Sequence, residues 1–289
     1  MTVLAAGLLA ATANAGEQVP VTPAAASSGL RGDFNLTLGH SWLDGDALDN
    51  NEADSLLSGG AELQLGMDLT PDYFAQVDLF GEFTDANNNS SYDNGIGLAA
   101  HVMRRNDTFG LGLFGGLLRT VQDDDSTDSS ERYFGGLEGQ LYQANTTYFA
   151  QVGYFDGSSG DDDDGLDSVR EAGFVRIGVQ HFFSETLMLE AELAAASGEM
   201  DNDSDDADIL TWGLKLEKQL NDRFSGELGY AGAEYDQGDE NDTVTEHIAY
   251  VGLTYFFDAG SLKQRNRTST SLDTPQFLRW SGQTGGPLE

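Results

Sequence analysis

The stretch Thr245–Phe257 reads Thr-Glu-His-Ile-Ala-Tyr-Val-Gly-Leu-Thr-Tyr-Phe-Phe, and its side chains alternate in character. One set of alternate positions is apolar with aromatic or histidine ends: His247, Ala249, Val251, Leu253, Tyr255 and Phe257. The other set mixes polar, small and apolar groups: Glu246, Ile248, Tyr250, Gly252, Thr254 and Phe256. A period of two places these sets on opposite faces of a strand. At roughly 3.3 Å per residue, the strand is long enough to cross a tilted bilayer.

The same alternation recurs along the chain and predicts twelve strands between residues 30 and 257. The clearest hairpin turns at Thr70-Pro71-Asp72, where proline suits a tight turn. Five short turns alternate strictly with six longer loops, at 43–54, 85–93, 121–131, 156–168, 198–208 and 236–246. A soluble sandwich would mix its connection lengths and bury its apolar stripes between two sheets. The strict alternation instead predicts an all-β fold, a closed antiparallel up-and-down barrel.

The ending Tyr255-Phe256-Phe257 resembles the aromatic closing strand of Gram-negative outer-membrane β-barrels, and the resemblance in architecture covers residues 30–257. It carries no family-specific motif. It implies a transmembrane, porin-like barrel in the cell outer membrane, with short periplasmic turns and long acidic extracellular loops. Outward aromatic positions form two girdles, Trp42, Phe83, Tyr133, Tyr154, Trp212 and Tyr230 near the loops and Phe34, Tyr73, Phe109, Tyr148, Phe224 and Phe257 near the turns. Aromatic packing at the ends of an ordinary sheet is the alternative.

Segments outside the strands complete the predicted organisation. Residues 1–15 are rich in Ala, Leu and Val and end in Ala13-Asn14-Ala15, the pattern of a secretory signal peptide. The basic segment that precedes such a core is missing, which leaves an upstream start or a plain hydrophobic N-terminus as alternatives. Residues 16–29 are interpreted as a periplasmic lead-in, 30–257 as the barrel and 258–289 as a C-terminal tail. The tail is basic, with Lys263, Arg265, Arg267 and Arg279, and is expected either to be disordered or to plug the lumen.

Charge and cysteine content exclude several classes of function. The chain has 49 acidic and 14 basic residues and no cysteine, which argues against nucleic acid as a partner and excludes disulfides and thiolate metal sites. The six loops hold 29 of the acids and no Lys or Arg, so the charge is concentrated on one rim. Weak Ca²⁺ or Mg²⁺ binding is the one cofactor interaction that this rim suggests, at Asp161, Asp162, Asp163, Asp164, Asp201, Asp203 and Asp205. Solvated acidic loops without a bound ion are the alternative.

Charged side chains also recur at the alternate strand positions that are predicted to face the lumen. The predicted lumen-lining, selectivity-determining residues are Glu62, Asp68, Asp78, Glu82, Glu138, Arg170, Arg176, Glu190, Glu192, Lys215 and Glu227. They either line a narrow, net-acidic water path or pair with one another across a plugged interior. Twelve strands give a bore between those of the filled eight-stranded barrels and the sixteen-stranded porins.

These patterns favour a passive outer-membrane channel for small polar solutes with a preference for cations. A structural or adhesive barrel, whose loops bridge divalent cations to lipopolysaccharide, is the main alternative. An outer-membrane lipid hydrolase is less favoured, because the outward histidines His40, His181 and His247 fit interfacial anchors and face no convincing serine. The expected partners are the lipid bilayer, lipopolysaccharide and small polar or cationic solutes; the sequence does not indicate the oligomeric state.

Overall fold

A computed structural model describes residues 31–45, 55–86, 93–122, 129–158, 169–200, 206–236, 243–270 and 273–275. These residues form twelve long strands and one short helix. The strands are β1 (Arg31–Gly45), β2 (Ser55–Asp68), β3 (Tyr73–Ala86), β4 (Asp93–Arg105), β5 (Phe109–Gln122), β6 (Ser129–Gln143), β7 (Thr146–Ser158), β8 (Val169–Ser184), β9 (Leu187–Met200), β10 (Asp206–Gln219), β11 (Phe224–Asp236) and β12 (Thr243–Phe256). The helix is α1 (Leu262–Thr268). The proposed signal peptide and lead-in, residues 1–29, lie outside the described residues.

The strands form one closed barrel in which each strand pairs antiparallel with its neighbours in the chain. The first strand closes on the last: Phe34 pairs with Tyr255, and Trp42 pairs with His247. Closure leaves no unpaired strand edge, as a sheet surrounded by lipid requires. The predicted fold class, a twelve-stranded up-and-down barrel, is therefore confirmed.

Short turns join the strands at one rim of the barrel, at residues 69–72, 106–108, 144–145, 185–186 and 220–223. Two of them are fixed by asparagine. Asn106 Oδ1 accepts hydrogen bonds from the amides of Thr108 and Phe109, and Asn221 Oδ1 accepts from those of Arg223 and Phe224. In such turns the asparagine side chain accepts a hydrogen bond from the backbone amide two residues later, and this bond stabilises the turn. The connections at the opposite rim lie largely outside the described residues.

The outer wall carries a continuous apolar belt. Leu38, Leu113 and Leu137, for example, are 52%, 61% and 54% exposed. Rings border the belt, with Trp42, Tyr133, Tyr154 and Tyr230 at the loop end and Phe34, Tyr73, Phe109, Tyr148 and Phe224 at the turn end. Trp212 and Phe257 are partly buried, and the side chain of Phe83 is outside the described part. A soluble protein rarely exposes so large an apolar surface, so this belt contacts lipid. Among the described residues, no helix has the length and apolarity needed to span a membrane.

The inner wall on the loop side holds a set of phenylalanines that we call the aromatic layer: Phe80, Phe114, Phe134, Phe155 and Phe174, all at most 6% exposed. Glycines on neighbouring strands make room for the rings. A Cβ added at Gly97 would lie 2.1 Å from Phe80 Cζ, and one at Gly153 would lie 2.7 Å from Phe174 Cζ. These buried rings pack together on the inner wall and narrow the lumen on the loop side, where the charged side chains predicted from the sequence give way to aromatic ones.

Another glycine allows two strand backbones to approach closely. A Cβ added at Gly136 in β6 would lie 2.1 Å from the carbonyl oxygen of Val152 in β7. We expect Gly136→Ala to lower the free energy of unfolding by about 1–3 kcal/mol, because the strands must move apart. Gly173→Ala is the matched control, since nothing lies within 4 Å of its added Cβ. Urea titration of both variants in lipid measures the difference, and equal midpoints would contradict this prediction.

Candidate functional site

The centre of the lumen is a ring of hydrogen-bonded polar side chains, which we call the polar ring. On one side His101 (β4) lies between two carboxylates: its Nε2 is 3.0 Å from Asp78 Oδ2 (β3), and its Nδ1 is 2.8 Å from Glu138 Oε2 (β6). All three side chains are at most 3% exposed. Both ring nitrogens face carboxylate oxygens at ion-pair distance, so a protonated His101 would place a buried positive charge between two acids.

The polar ring continues from Glu138 through a glutamine to an arginine. Gln151 Nε2 (β7) donates to Glu138 Oε2 at 3.4 Å, and Gln151 Oε1 accepts from Arg176 Nη1 (β8) at 3.0 Å. Arg176 Nε donates to Glu192 Oε2 (β9) at 2.9 Å. Arg176 is 3% exposed and its charge is matched by Glu192. Four neighbouring strands are therefore connected by one chain of hydrogen bonds.

The rest of the polar ring is more acidic. Lys215 Nζ lies 3.5 Å from Glu190 Oε1, and Gln180 Nε2 donates to the same carboxylate at 2.6 Å. Glu217 accepts from Ser225 Oγ at 2.5 Å, and Glu227 accepts from Asn35 Nδ2 at 3.3 Å.

A cavity of about 150 Å³ lies between this part of the polar ring and α1. Its lining includes five carboxylates (Asp33, Glu62, Glu217, Glu227 and Asp273) and two cationic side chains, Lys215 and Arg265. The cavity is large enough for several water molecules, and its lining is net negative.

The described part of the tail fills the turn-side mouth of the barrel. Ser261 caps α1, its Oγ accepting from the amide of Gln264 and donating to Glu185 Oε2 at 2.8 Å. Lys263 Nζ lies 3.3 Å from Glu185 Oε1. The Ser261 hydroxyl, helped by Lys263, holds the pKa of the Glu185 carboxyl below its usual value. Leu262 is the apolar anchor of the helix and packs with Phe182, Met188 and Phe256.

The other tail contacts are polar and reach residues around the mouth. Arg105 donates to the carbonyl oxygens of Thr268 and Ser269, at 2.7 and 2.9 Å. Arg265 Nη2 donates to the Asp222 carbonyl at 2.9 Å. Asn266 is buried between two wall residues, accepting from Thr147 Oγ1 and donating to Gln180 Oε1, both at 2.6 Å.

Beyond the helix, the chain runs inward to the polar ring. Gln64 Nε2 donates to Asp273 Oδ1 at 3.0 Å. Gln151 Nε2 and Arg176 Nη1 donate to the Asp273 carbonyl, at 3.3 and 3.1 Å. These contacts belong to the described residues of the tail; residues 271–272 and 276–289 lie outside the description, and the role of the whole tail, disordered or a lumen plug, stays a prediction.

No family model matches the chain, and no curated protein matches its sequence. Among solved structures, the COG4313 outer membrane channel of Pseudomonas putida F1 superposes with a TM-score of 0.56 at 14% identity, covering 82% of this chain and 100% of that one. This chain has the fold of the outer-membrane β-barrels. The NalP autotransporter translocator domain of Neisseria meningitidis (TM-score 0.46, 13% identity, 78% and 88% covered) and the KdgM porin in complex with oligogalacturonate (0.46, 12%, 78% and 99%) are also similar.

The β-barrel fold and the lipid-facing belt agree with the location predicted from the sequence. The outer membrane is the membrane in which barrels of this architecture reside. The predicted resemblance and localisation are thus confirmed, and the barrel contacts the lipid bilayer through its apolar belt.

Within this barrel, most predicted lumen residues occupy the interior, in three groups. The polar ring or its cavity contains Glu62, Asp78, Glu138, Arg176, Glu190, Glu192, Lys215 and Glu227. Asp68 lies at the turn-side mouth, where it pairs with Arg31 and Arg105. Glu82 is partly buried toward the loop side, and Arg170 lies at the loop rim, 42% exposed and paired with Glu171 and Glu199. Their role in selectivity stays a prediction.

The predicted cation-binding aspartates, Asp161 to Asp164 and Asp201, Asp203 and Asp205, all lie outside the described residues. One of the outward histidines, His247, makes contacts typical of an aromatic girdle. His247 Nδ1 is 2.7 Å from Tyr230 Oη, and its ring stacks on Trp42 at 5.5 Å between centroids. His181 Nδ1 lies 3.0 Å from Thr146 Oγ1.

Several residues of the site are absent from the lumen-lining set predicted from the sequence. His101 lies on the inward parity of β4, opposite Leu98 and Val102, so the alternation alone could have placed it in the lumen. Gln64 and Gln151 share the inward parity of Glu62 and Phe155, and the same rule would have found them. Asp273 belongs to no strand, and no pattern in the tail indicated its position.

Proposed function

We propose that this protein is an outer-membrane channel for passive diffusion of small polar solutes, with a preference for cations. Its described tail closes the lumen from the turn side. The COG4313 outer membrane channel, on the same fold, is described as a channel. That likeness supports the fold on which the proposal stands; the argument for conduction comes from the lumen of this chain.

The observation that carries the proposal is the acidic cavity behind the tail. On the barrel wall its lining has four carboxylates (Asp33, Glu62, Glu217 and Glu227) and one cationic group, Lys215; Asp273 and Arg265 belong to the tail. A purely structural barrel gains nothing from buried carboxylates, because burying a charge is costly unless it is paired. Rings of acidic side chains along a water path favour cations over anions.

Two barriers must open before solutes pass. The tail fills the turn-side mouth through contacts that are mostly polar. When the tail leaves, water can replace these hydrogen bonds. The aromatic layer narrows the loop side, and apolar constrictions open and close by wetting and dewetting. We therefore expect brief openings, with the tail as the main barrier.

Reversal potentials in planar bilayers test the selectivity. With a KCl gradient, we expect the native protein to favour K⁺ over Cl⁻. In Glu217→Gln/Glu227→Gln the permeability ratio should fall roughly two- to threefold, because two charges of the ring are removed. Glu234→Gln is the matched control, since Glu234 is exposed on β11 outside the cavity lining. An unchanged ratio in the double variant, or anion preference in the native protein, would contradict the proposal.

A structural barrel is the second candidate, and one observation favours it: the aromatic layer and the tail together fill much of the described interior. Under this reading, loops would contact lipopolysaccharide, directly or through divalent cations. Absence of conductance in planar bilayers, even after release of the tail, would support a structural barrel over the channel. We propose that the protein is not an enzyme, because His181 and His247 have hydrogen bonds to Thr146 and Tyr230 and not to a serine that could serve as a nucleophile.

A further inference from the structure

Three donors from three different strands converge on one residue of the tail. Gln64 of β2 binds the side-chain carboxylate of Asp273, while Gln151 of β7 and Arg176 of β8 bind its main-chain carbonyl. The wall donors are well buried: Gln64 is 5% exposed, Gln151 1% and Arg176 3%. The lumen therefore contains a pocket of donors shaped for a carboxylate next to an amide carbonyl.

The orientation of these donors is set by the wall rather than by the tail. Gln151 Oε1 accepts from Arg176 Nη1 at 3.0 Å, which turns the amide nitrogen of Gln151 toward the lumen. Arg176 is itself held by Glu192. The pocket is thus preorganised, because its wall side chains are already held in place. A ligand that binds there restricts their freedom little further.

Departure of the tail would remove one acceptor from each of these donors, while their wall acceptors Glu62, Glu138 and Gln151 stay in place. A buried donor that loses a partner is destabilising, so a solute that restores the lost hydrogen bonds binds there in preference to the rest of the lumen. Arg176 and Lys215 are cationic wall groups that attract the Asp273 carboxylate. Four wall acids repel it: Asp78, Glu190, Glu217 and Glu227. Each cationic group is paired with its own glutamate, so the pocket does not attract simple anions strongly.

We propose that the tail is a tethered ligand, and that the pocket formed by Gln64, Gln151 and Arg176 binds short acidic peptides in its place. This inference rests on the proposed channel function only for access, since such peptides would reach the pocket through the lumen; they are ligands of the pocket and not the preferred cationic solutes of the pore. The chemical class is an amide carbonyl with a neighbouring carboxylate, as in an aspartyl residue.

The chain offers a direct test because it contains no cysteine. Thr274 is fully buried beside Asp273, so in full-length Thr274→Cys a maleimide reacts only when the tail leaves its seat. The probe is N-acetyl-aspartate N-methylamide, which copies the aspartyl residue. At ten times its Kd, it should accelerate labelling about tenfold by competing with Asp273. N-acetyl-alanine N-methylamide, without the carboxylate, and succinate, without the amide, are the matched probes and should accelerate labelling much less.

Two substitutions in the Thr274→Cys background locate the effect. Asp273→Ala removes the bond from Gln64 and should by itself speed labelling about fivefold, the factor for one hydrogen bond. Gln151→Met removes a wall donor without changing the charge, and it should weaken the response to the probe by a similar factor.

The outcomes separate this inference from the channel proposal, because thiol labelling does not require conduction. Equal acceleration by all three probes, or none by the aspartyl probe, overturns the pocket even if the protein conducts. Unchanged labelling in Asp273→Ala also overturns it, since Asp273 would then not hold the tail. Specific acceleration in a protein that never conducts would support the pocket and refute the channel.

Discussion

Truncation after Phe257 should raise the conductance in planar bilayers by about an order of magnitude, because it removes the segment that fills the turn-side mouth of a twelve-stranded bore. The tail belongs to no strand of the barrel, and the closing strand pairs with β1 without it. We therefore expect the shortened chain to fold, which heat-modifiable mobility on gels would verify.

The aromatic layer supplies the second variant for this experiment. Phe174→Ala in the truncated chain removes a ring that is 4% exposed in the lumen and should raise the conductance further. In the full-length chain the same substitution should have little effect, because the tail still closes the mouth. If both truncated proteins fold and remain silent, the tail is not the main barrier and the structural alternative gains support.

Replacement of His101 by leucine should lower the free energy of unfolding by about 3–5 kcal/mol, the usual cost of removing one partner from a buried ion pair. The substitution leaves Asp78 and Glu138, each with a side chain 0% exposed, without the imidazole between them. Urea titration in lipid measures the change.

Two further variants show whether charge is the cause. His101→Leu combined with Asp78→Asn and Glu138→Gln removes both orphaned carboxylates, and we expect it to recover most of the lost stability. His181→Leu is the matched control on the lipid face; it loses one contact to Thr146 and should cost less than about 1 kcal/mol. If the triple variant is as unstable as the single one, packing rather than charge explains the loss.

The sequence predicts the barrel well because lipid-facing positions need only to be apolar at every second residue. Leu36, Leu38 and their counterparts on other strands meet that condition, so strand number, turns and outward faces could be derived. The interior was harder, because alternation assigns a face but not a depth. Phe134 and Glu138 share the inward face of β6, yet one lies in the aromatic layer and the other in the polar ring.

The tail shows a second limit of sequence reasoning. Its helix has only seven residues and one apolar anchor, Leu262, so it carries no amphipathic signal. Its position depends on hydrogen bonds to groups that come together only when the barrel closes, such as Arg105 and Gln180. No local pattern encodes such contacts, and the sequence therefore left both states of the tail open.

The contacts of α1 also have a consequence for biogenesis. The helix touches residues in or beside the turns at 106–108, 144–145, 185–186 and 220–223, which lie far apart in the chain. It can dock with all of these contacts only after the four hairpins have come together, so we expect the mouth to be sealed late in assembly. A nascent barrel that lacks these hairpins cannot hold the helix in this position, and docking thus reports that most of the wall is already in place.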